Sequence, residues 1–357
     1  MGDTTRRKFF HGSAAAAALA SEAAAQTYQK PGHFTVDCQS HLFVPELVEM
    51  MMKRKEPPYA YQKDGDTYVV TGPPGEWHRR LRKSHMDVDA KLADMDEAGI
   101  DLTLISINDP GPDVFGKDGM TAARICNDWI GDLGRKHPKR FAGLIVLPLQ
   151  NMNESLKELD RCVNRLGMKG ILLYSNLAEK FPDEDEFREL FAEAERMDIP
   201  ILLHPAHPVT FEQTKGRSLM AGLGLMFDTS IALARIIMAG ILDQYPKLKL
   251  VCPHVGGTLP YLVGRLDHQA LVLKRGAENI TRAPSEYLRH IYLDAVSPIP
   301  MAIQYGIDFV GVDRMLYSSD HPWVDPKTIG GHLQSLGLPP ADEAKIFGGN
   351  ARQLFKL

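Results

Sequence analysis

Short runs of apolar and β-branched residues alternate along the chain with longer stretches whose apolar residues recur every three or four positions. The short runs predict buried strands, and the longer stretches predict helices with one core-facing side. Amphipathic stretches at 86–99, 155–167 and 186–198 are examples of the second kind. The predicted strands number eight: FTVDC (34–38), DLTLISI (101–107), FAGLIVL (141–147), KGILLYS (169–175), IPILLH (199–204), LKLVCPH (248–254), IYLDAV (291–296) and MLYSSD (315–320).

This alternation predicts a (β/α)8 TIM barrel. Strands separated by helices pair in parallel through right-handed crossovers, and nearly continuous apolar runs indicate strands buried on both faces. No GxGxxG follows the first strand and no GxxxxGK[ST] occurs, so a nucleotide-binding sheet has no support. Two insertions, 46–85 and 207–228, interrupt the pattern, and we expect them as loops over the C-terminal face of a single domain.

Composition and charge argue against some classes of binding partner. The chain has 357 residues, 44% hydrophobic and 24% charged, with a formal net charge of -4 and no block of Lys and Arg. We therefore expect no nucleic-acid partner and no membrane partner. Four cysteines are widely scattered without a CxxC, which argues against a zinc ribbon and a disulfide scaffold.

The first 25 residues form a separate zone. TTRRKFFHGSAAAAALASEAAAQ places paired arginines before an alanine-rich run and small residues, in the order of a twin-arginine-type signal peptide. The alternative is an unstructured alanine-rich tail. The apolar run is too short to span a bilayer. We expect export to the periplasm, with residues 34–357 forming the barrel domain.

Polar residues stand where the predicted strands end, which is where barrel enzymes carry their catalytic groups. Asp37, Gln39 and His41 alternate on one strand and so share one face. A lone strand histidine is usually a hydrogen-bonded core residue. Here, however, several imidazoles and carboxylates lie at the same end of the predicted barrel. The further strand-end residues are His204, His254, Asp294 and Asp320.

These groups predict a metal site. Buried imidazoles and carboxylates are costly unless they are paired or bound to metal, and His41, His204 and Asp320 form a standard set for Zn²⁺ with an open position. A binuclear site in this kind of barrel requires a lysine near the end of the fourth strand. Ser175 and Asn176 stand there instead, so we predict one ion.

Four motifs together resemble the decarboxylase branch of the amidohydrolase superfamily, and aminocarboxymuconate semialdehyde decarboxylase and its relatives in particular. They are VDCQSHLFVP, ILLHPAH, VCPHVGGTLPYLVGRLDH and LYSSDHPW, and the resemblance extends from about residue 34 to 357. It implies metal ligands at Gln39, His41, His204 and Asp320, with one divalent ion, Zn²⁺ as first choice and Mn²⁺ as second. It also implies that His254 handles the proton and that Asp320 shares this catalytic role.

The resemblance further implies two arginines that bind a substrate carboxylate. Arg79 matches one of them, with Arg80 or Arg82 as alternatives in a variable loop. Arg265, in VGRLDH, matches an arginine that reaches the site of a neighbouring subunit, so we expect a homodimer.

Gln39 departs from the family pattern, which has His or, in some relatives, Glu at this position. An amide oxygen is a neutral and weaker ligand than imidazole, so the ion is either held less tightly or absent. The leading hypothesis is metal-dependent decarboxylation of a small unsaturated or aromatic carboxylic acid. The alternatives are metal-dependent hydrolysis of a carbonyl, lactone or C–C bond at the same site, and a binding protein without catalysis.

Overall fold

The computed structural model describes residues 27–73, 75 and 77–357, without the side chain of residue 77. The expected signal peptide at 1–25 lies outside the described residues. Within them, eight parallel strands pair in chain order around a barrel, which confirms the predicted (β/α)8 fold. These strands are β1 (Val36–His41), β5 (Leu102–Ser106), β6 (Phe141–Ile145), β7 (Gly170–Tyr174), β8 (Ile201–His204), β9 (Leu250–Cys252), β10 (Tyr292–Asp294) and β11 (Met315–Leu316).

Backbone hydrogen bonds between β1 and the segment after β11 close the barrel. Cys38 N donates to Tyr317 O at 3.0 Å, and Asp320 N donates to Gln39 O at 3.0 Å. His41 N donates to the carbonyl of His321 at 2.8 Å. This closing seam joins the first and the last polar strand ends, so it brings their side chains to one place.

Helices surround the barrel and bury their apolar sides against it. The longer ones are Pro45–Met52, Val88–Ala98, Gly119–Lys136, Met152–Asn164, Arg188–Met197, Leu225–Met238, Leu259–Asp267, Pro300–Val310, Pro326–Ser335 and Asn350–Phe355. Helix Val88–Ala98 begins where the Asp87 side chain accepts hydrogen bonds from the backbone N–H groups of residues 89 and 90, and ends at Gly99 with φ 66°. Its buried face carries a lysine, Lys91, beside Met95 and Ala98.

The first insertion is more regular than the expected loop. It forms helix Pro45–Met52 and an antiparallel sheet of β2 (Tyr59–Asp64), β3 (Thr67–Gly72) and β4 (Trp77–Arg82). The β-branched residues of TYVVTG favour a strand, and the turn at Gly65 joins it to β2. This small sheet carries Arg79 to the barrel mouth.

The second insertion contains helix Phe211–Thr214 and the π-helix Met220–Gly224, which continues into Leu225–Met238. In the described chain, the stretch Met220–Met238 is long and apolar enough to cross a membrane, judged by length and composition only. Core helices of soluble proteins meet the same criterion, and this stretch packs against helices Leu259–Asp267 and Pro284–Leu288.

Candidate metal centre

Two histidines and an aspartate meet at the C-terminal mouth of the barrel. His41 Nε2 lies 3.3 Å from His204 Nε2 and 3.3 Å from Asp320 Oδ1. One ligand atom from each of the three residues lies within 4.8 Å of the other two. The structure therefore places the ends of β1, β8 and the segment after β11 around one point, as a single divalent metal site requires.

The hydrogen bonds of the two imidazoles turn their lone pairs toward that point. His204 Nδ1 donates to the carbonyl of Pro205 at 2.8 Å, which leaves Nε2 as an acceptor. His41 Nδ1 hydrogen-bonds to Ser106 Oγ at 3.0 Å, so its Nε2 also faces the site. In the tautomer in which His41 Nδ1 donates to Ser106, the two Nε2 lone pairs face each other and both can bond to a cation between them. The donor set therefore fits a metal ion.

Gln39 completes the set with an amide. Its Nε2 lies 3.0 Å from Asp320 Oδ1 and 3.2 Å from His41 Nε2. Its Oε1 is buried and has no hydrogen-bond partner among the described residues. A half-turn of the amide exchanges the two atoms, so Gln39 is placed to offer a neutral oxygen ligand.

Electrostatics keep His204 and Asp320 in the protonation states that metals bind. Burial, reinforced by His41, lowers the pKa of His204 well below its ordinary value, so this imidazole is neutral. Burial alone would raise the pKa of Asp320, but hydrogen bonds and charge interactions with His254 and His41 hold it well below its usual range. The site therefore combines a neutral imidazole at His204 with an ionised carboxylate at Asp320.

His254 stands beside the metal ligands. Its Nε2 lies 3.8 Å from Asp320 Oδ2, and it lines the same cavity. Burial opposes its charged form, but the Asp320 carboxylate outweighs burial and raises the pKa of His254 above its ordinary value. His254 is therefore suited to hold a proton that a reaction uses.

Asp294 acts on the backbone that carries His254. Its Oδ1 accepts hydrogen bonds from His254 N at 2.7 Å and from Val296 N at 3.1 Å. His254 has a left-handed backbone with φ 55°, which a non-glycine residue adopts only when its surroundings hold it there. Burial raises the pKa of Asp294 to about 6. Asp294 thus orients His254 and does not reach the ligands.

Arg79 is the member of its arginine cluster that faces the mouth. Its Nη2 pairs with Asp109 Oδ1 at 2.5 Å, and its Nη1 donates to Asn108 Oδ1. Its guanidinium carbon lies 4.8 Å from the centroid of the Trp323 ring. Arg80 and Arg82 are exposed, because alternate residues of β4 point to opposite sides.

A cavity of about 960 Å³ opens above these groups. Its floor includes Arg79, His204, His254 and Asp320, and its walls are mainly apolar, with Met220, Met226, Val255, Ile299, Met301 and Tyr305 among them. Arg265 lies on helix Leu259–Asp267, is exposed and is not among the residues of the described chain that line this cavity.

Ser175 and Asn176 serve a structural role at Asp228. Both donate to Asp228 Oδ2, Asn176 Nδ2 at 2.8 Å. The single cluster of potential metal ligands in the described residues is the one already given, in agreement with one ion. Sequence reasoning missed Asn108 and Asp109, although the polar pair directly after the strand DLTLISI was a signal of the same kind as the other strand ends.

Comparisons with known proteins place the chain among enzymes. The Amidohydrolase family matches residues 36–357. The γ-resorcylate decarboxylase of Rhizobium sp. (strain MTP-10005) is 29% identical over 301 residues, which cover 80% of this chain and 92% of that protein. The 2-amino-3-carboxymuconate-6-semialdehyde decarboxylase of Dictyostelium discoideum is 25% identical over 291 residues, covering 79% and 80% respectively.

A solved structure agrees in fold over almost the same range. The 5-carboxyvanillate decarboxylase of Novosphingobium aromaticivorans DSM 12444, complexed with manganese and 4-hydroxy-3-methoxy-5-nitrobenzoic acid, superposes with a TM-score of 0.77 at 25% identity. The match covers 91% of this chain and 97% of that one. The chain is therefore an enzyme of the Amidohydrolase family and belongs to its branch of aminocarboxymuconate semialdehyde and γ-resorcylate decarboxylases.

Proposed function

We propose that the protein is a metal-dependent decarboxylase of a small aromatic or unsaturated carboxylic acid. The observation that carries this proposal is the convergence of His41, His204 and Asp320, because His204 and Asp320 line an apolar cavity together with His254. An apolar pocket favours the loss of a charged carboxylate as neutral CO₂. Decarboxylases of aromatic and unsaturated acids among the relatives support the same reaction class.

We propose Mn²⁺ as the ion to test first. His41, His204, Asp320 and the Gln39 amide oxygen would hold it, and oxygen donors suit Mn²⁺ better than they suit Zn²⁺. The manganese bound by the Novosphingobium enzyme supports this choice, and Zn²⁺ stays the alternative. When bound, the ion would supply Lewis-acid polarisation of the substrate's oxygen substituents.

The protein's own groups would do the rest of the reaction. Arg79, oriented by Asp109, would bind the carboxylate through a pair of hydrogen bonds. His254, protonated beside Asp320, would deliver its proton to the carbon that bears the carboxylate. The new C–H bond takes an electron pair from the unsaturated system of the substrate. The C–C bond then breaks, CO₂ leaves, and the electron pair of the broken bond restores the unsaturated system. The product is the acid with hydrogen in place of its carboxylate.

The active form that we propose is a homodimer. Leu219, Leu223, Phe227 and Ile231 recur every four residues and are exposed, so they form an apolar stripe along one helix face. Tyr261 is 81% exposed and stands on the helix that also carries Arg265. A second copy that covers this face would bring Arg265 beside the partner's cavity.

The deciding experiment is a product assay. The protein is stripped with a chelator, reloaded separately with Mn²⁺ and Zn²⁺, and incubated with hydroxybenzoic acids and unsaturated dicarboxylic semialdehydes. Release of CO₂ with metal-dependent turnover supports the proposal. A product that has gained water with its carbon count conserved would establish the hydrolase alternative instead. If the protein binds these acids but does not turn them over with either metal, the alternative of a binding protein without catalysis is supported.

We also propose a cellular location for the protein. The paired arginines and alanine-rich run at residues 1–25 support export by the twin-arginine route to the periplasm. Replacement of both arginines by lysine should keep the full-length chain in the cytoplasmic fraction. Recovery of the processed chain in the periplasm despite this replacement would contradict the proposal.

A further inference from the structure

A buried lysine contacts two residues that are adjacent in sequence to the candidate metal ligands. The Lys91 side chain is 1% exposed, and its ammonium group donates to Ser40 Oγ and, at 2.8 Å, to His321 Nδ1. Burial lowers the pKa of Lys91 to about 8, against the raising effect of the carboxylates of Asp37 and Asp94. Lysines are rarely buried so completely unless their charge has a role.

The two partners of Lys91 belong to the segments that carry the metal ligands. Ser40 lies between Gln39 and His41 on β1, and its side chain points to the opposite side of the strand from theirs. His321 directly follows Asp320, whose backbone is left-handed with φ 56°. Lys91 therefore bridges both sides of the closing seam at the positions next to three ligands.

The hydrogen bonds of this bridge define one orientation for each group. Since Lys91 donates to His321 Nδ1, His321 Nε2 carries the proton that it donates to Asp94 Oδ2 at 2.9 Å. Ser40 Oγ accepts from Lys91 and donates to the His321 carbonyl at 3.3 Å.

A second buried pair holds the other end of the seam. Asp37 accepts hydrogen bonds from the backbone N–H of Ser319 at 2.9 Å and from its hydroxyl at 2.6 Å. Ser319 Oγ in turn accepts from His321 N at 3.1 Å. The left-handed residue Asp320 is thus held by contacts on both sides, and the positive charge of Lys91 favours the ionised form of Asp37.

We infer that Lys91 is a positioning residue of the metal centre: it ties Ser40 to His321 and so sets the distance between His41 and Asp320. This inference rests on the metal site of the proposed function. Groups that orient metal ligands without touching the ion typically change metal affinity by roughly 10–100-fold when removed.

Mn²⁺ titration of the purified protein, from which a chelator has first removed bound metal, tests the inference. Lys91→Met keeps the length and apolar stem of the side chain and is expected to weaken Mn²⁺ binding by about 10–100-fold. Lys327→Met is the matched control. Lys327 pairs with Glu97, which lies on the same helix as Lys91, and it does not touch the seam. Its Mn²⁺ affinity should equal that of the unmutated protein.

A double variant separates positioning from charge balance. Lys91→Met alone leaves the Asp37 carboxylate buried without a cation, which lowers the free energy of unfolding. Lys91→Met/Asp37→Asn removes that charge, so we expect it to recover stability in urea while Mn²⁺ binding stays weak. Recovery of affinity together with stability would overturn the positioning role, because charge balance alone would then explain the loss.

The remaining outcomes also decide. Equal Mn²⁺ affinity in Lys91→Met and the unmutated protein would overturn this inference and leave the proposed function intact. Failure of the unmutated protein to bind Mn²⁺ or Zn²⁺ would overturn both. If neither Lys91 variant folds, Ser40→Ala decides, since it removes the hydroxyl that joins Lys91 to β1 and to the His321 carbonyl. Weaker Mn²⁺ binding in that variant supports the inference, and unchanged binding overturns it.

Discussion

The amide nitrogen of Gln39 lies 3.0 Å from Asp320 Oδ1, and it lies 3.2 Å from His41 Nε2. Its N–H groups thus reach two of the atoms that a metal ion would bind. The other amide atom, Oε1, is buried without a partner among the described residues. Gln39 therefore suits two states of the site. Without an ion, its amide N–H donates to Asp320. With an ion, rotation of the amide group by half a turn would point Oε1 toward the metal.

We predict that the amide oxygen of Gln39 contributes to metal affinity. Gln39→Met keeps the size of the side chain without an oxygen, and Mn²⁺ binding should weaken by roughly 10-fold, the lower end of what a lost metal-site partner costs. Gln39→His supplies an imidazole, so it should bind Zn²⁺ more tightly than the unmutated protein does. Competition with a fluorescent chelator measures both. Unchanged Mn²⁺ affinity in Gln39→Met would show that Gln39 is not a ligand.

His254 should be required for turnover and not for metal binding. His254→Ala removes the imidazole beside Asp320 and should lower kcat by about 10²–10⁴-fold, the range typical of a lost general acid or base. Metal content measured by elemental analysis should stay near that of the unmutated protein. Loss of the ion in this variant would instead make His254 a ligand.

Asp109 should act on substrate binding through Arg79. The Asp109–Arg79 pair is buried, with side-chain exposures of 7% and 14%. Asp109→Asn keeps the shape of the side chain but loses the charge-assisted hydrogen bond, so we expect KM to rise roughly 10-fold, about 1.4 kcal/mol, with kcat less affected. Asp118→Asn, which disrupts the Arg54–Asp118 pair away from the cavity, is the control. An equal effect of both variants would rule out a specific role for Asp109.

Asp113 should make the fold less stable as pH rises. Burial, and the nearby Asp109, raise the pKa of Asp113 to about 7, and its Oδ1 has no hydrogen-bond partner among the described residues. The folded state thus holds a proton that the unfolded chain releases above its lower pKa. The free energy of unfolding therefore falls between the two pKa values as pH rises.

Asp113→Asn removes this dependence. Its advantage in stability over the unmutated protein should grow by about 2–3 kcal/mol between pH 5 and pH 8, from the shift of about three pKa units. Urea unfolding at both pH values measures it. An advantage that is equal at pH 5 and pH 8 would mean that Asp113 does not titrate in this range.

The barrel was predictable because eight apolar runs carry it, but the lengths of several strands were not. The run LKLVCPH gives a strand of three residues, Leu250–Cys252, because Pro253 has no N–H for the ladder. The run MLYSSD gives only Met315–Leu316 as a strand, since the following residues bond to β1 across the seam and Asp320 turns left-handed. Tertiary contacts, which a local pattern does not contain, set these ends.

The site was predictable to the extent that strand ends converge in a parallel barrel. His41, His204, His254 and Asp320 follow from that rule. Lys91 does not, because a lysine in an amphipathic helix normally lies on the solvent side. Its burial depends on Ser40 and His321, which are distant from it in sequence. The choice of Arg79 over its neighbours likewise depends on the register of β4 against β3, where Arg79 pairs with Val70.

Arg265 offers a test that links the proposed dimer to the chemistry. We expect Arg265→Ala and His254→Ala each to be nearly inactive alone. If Arg265 serves the partner's cavity, a mixed dimer has one complete site, formed by His254 of the Arg265→Ala chain and the intact arginine of the other. Random co-assembly of the two variants should then restore about a quarter of the activity of the unmutated protein, since half the dimers are mixed and each has one working site. An arginine that serves its own chain would leave no complete site in a mixed dimer. Background activity in dimers shown to be mixed would therefore exclude this role. Full activity in a protein that analytical ultracentrifugation shows to be a monomer would exclude it as well.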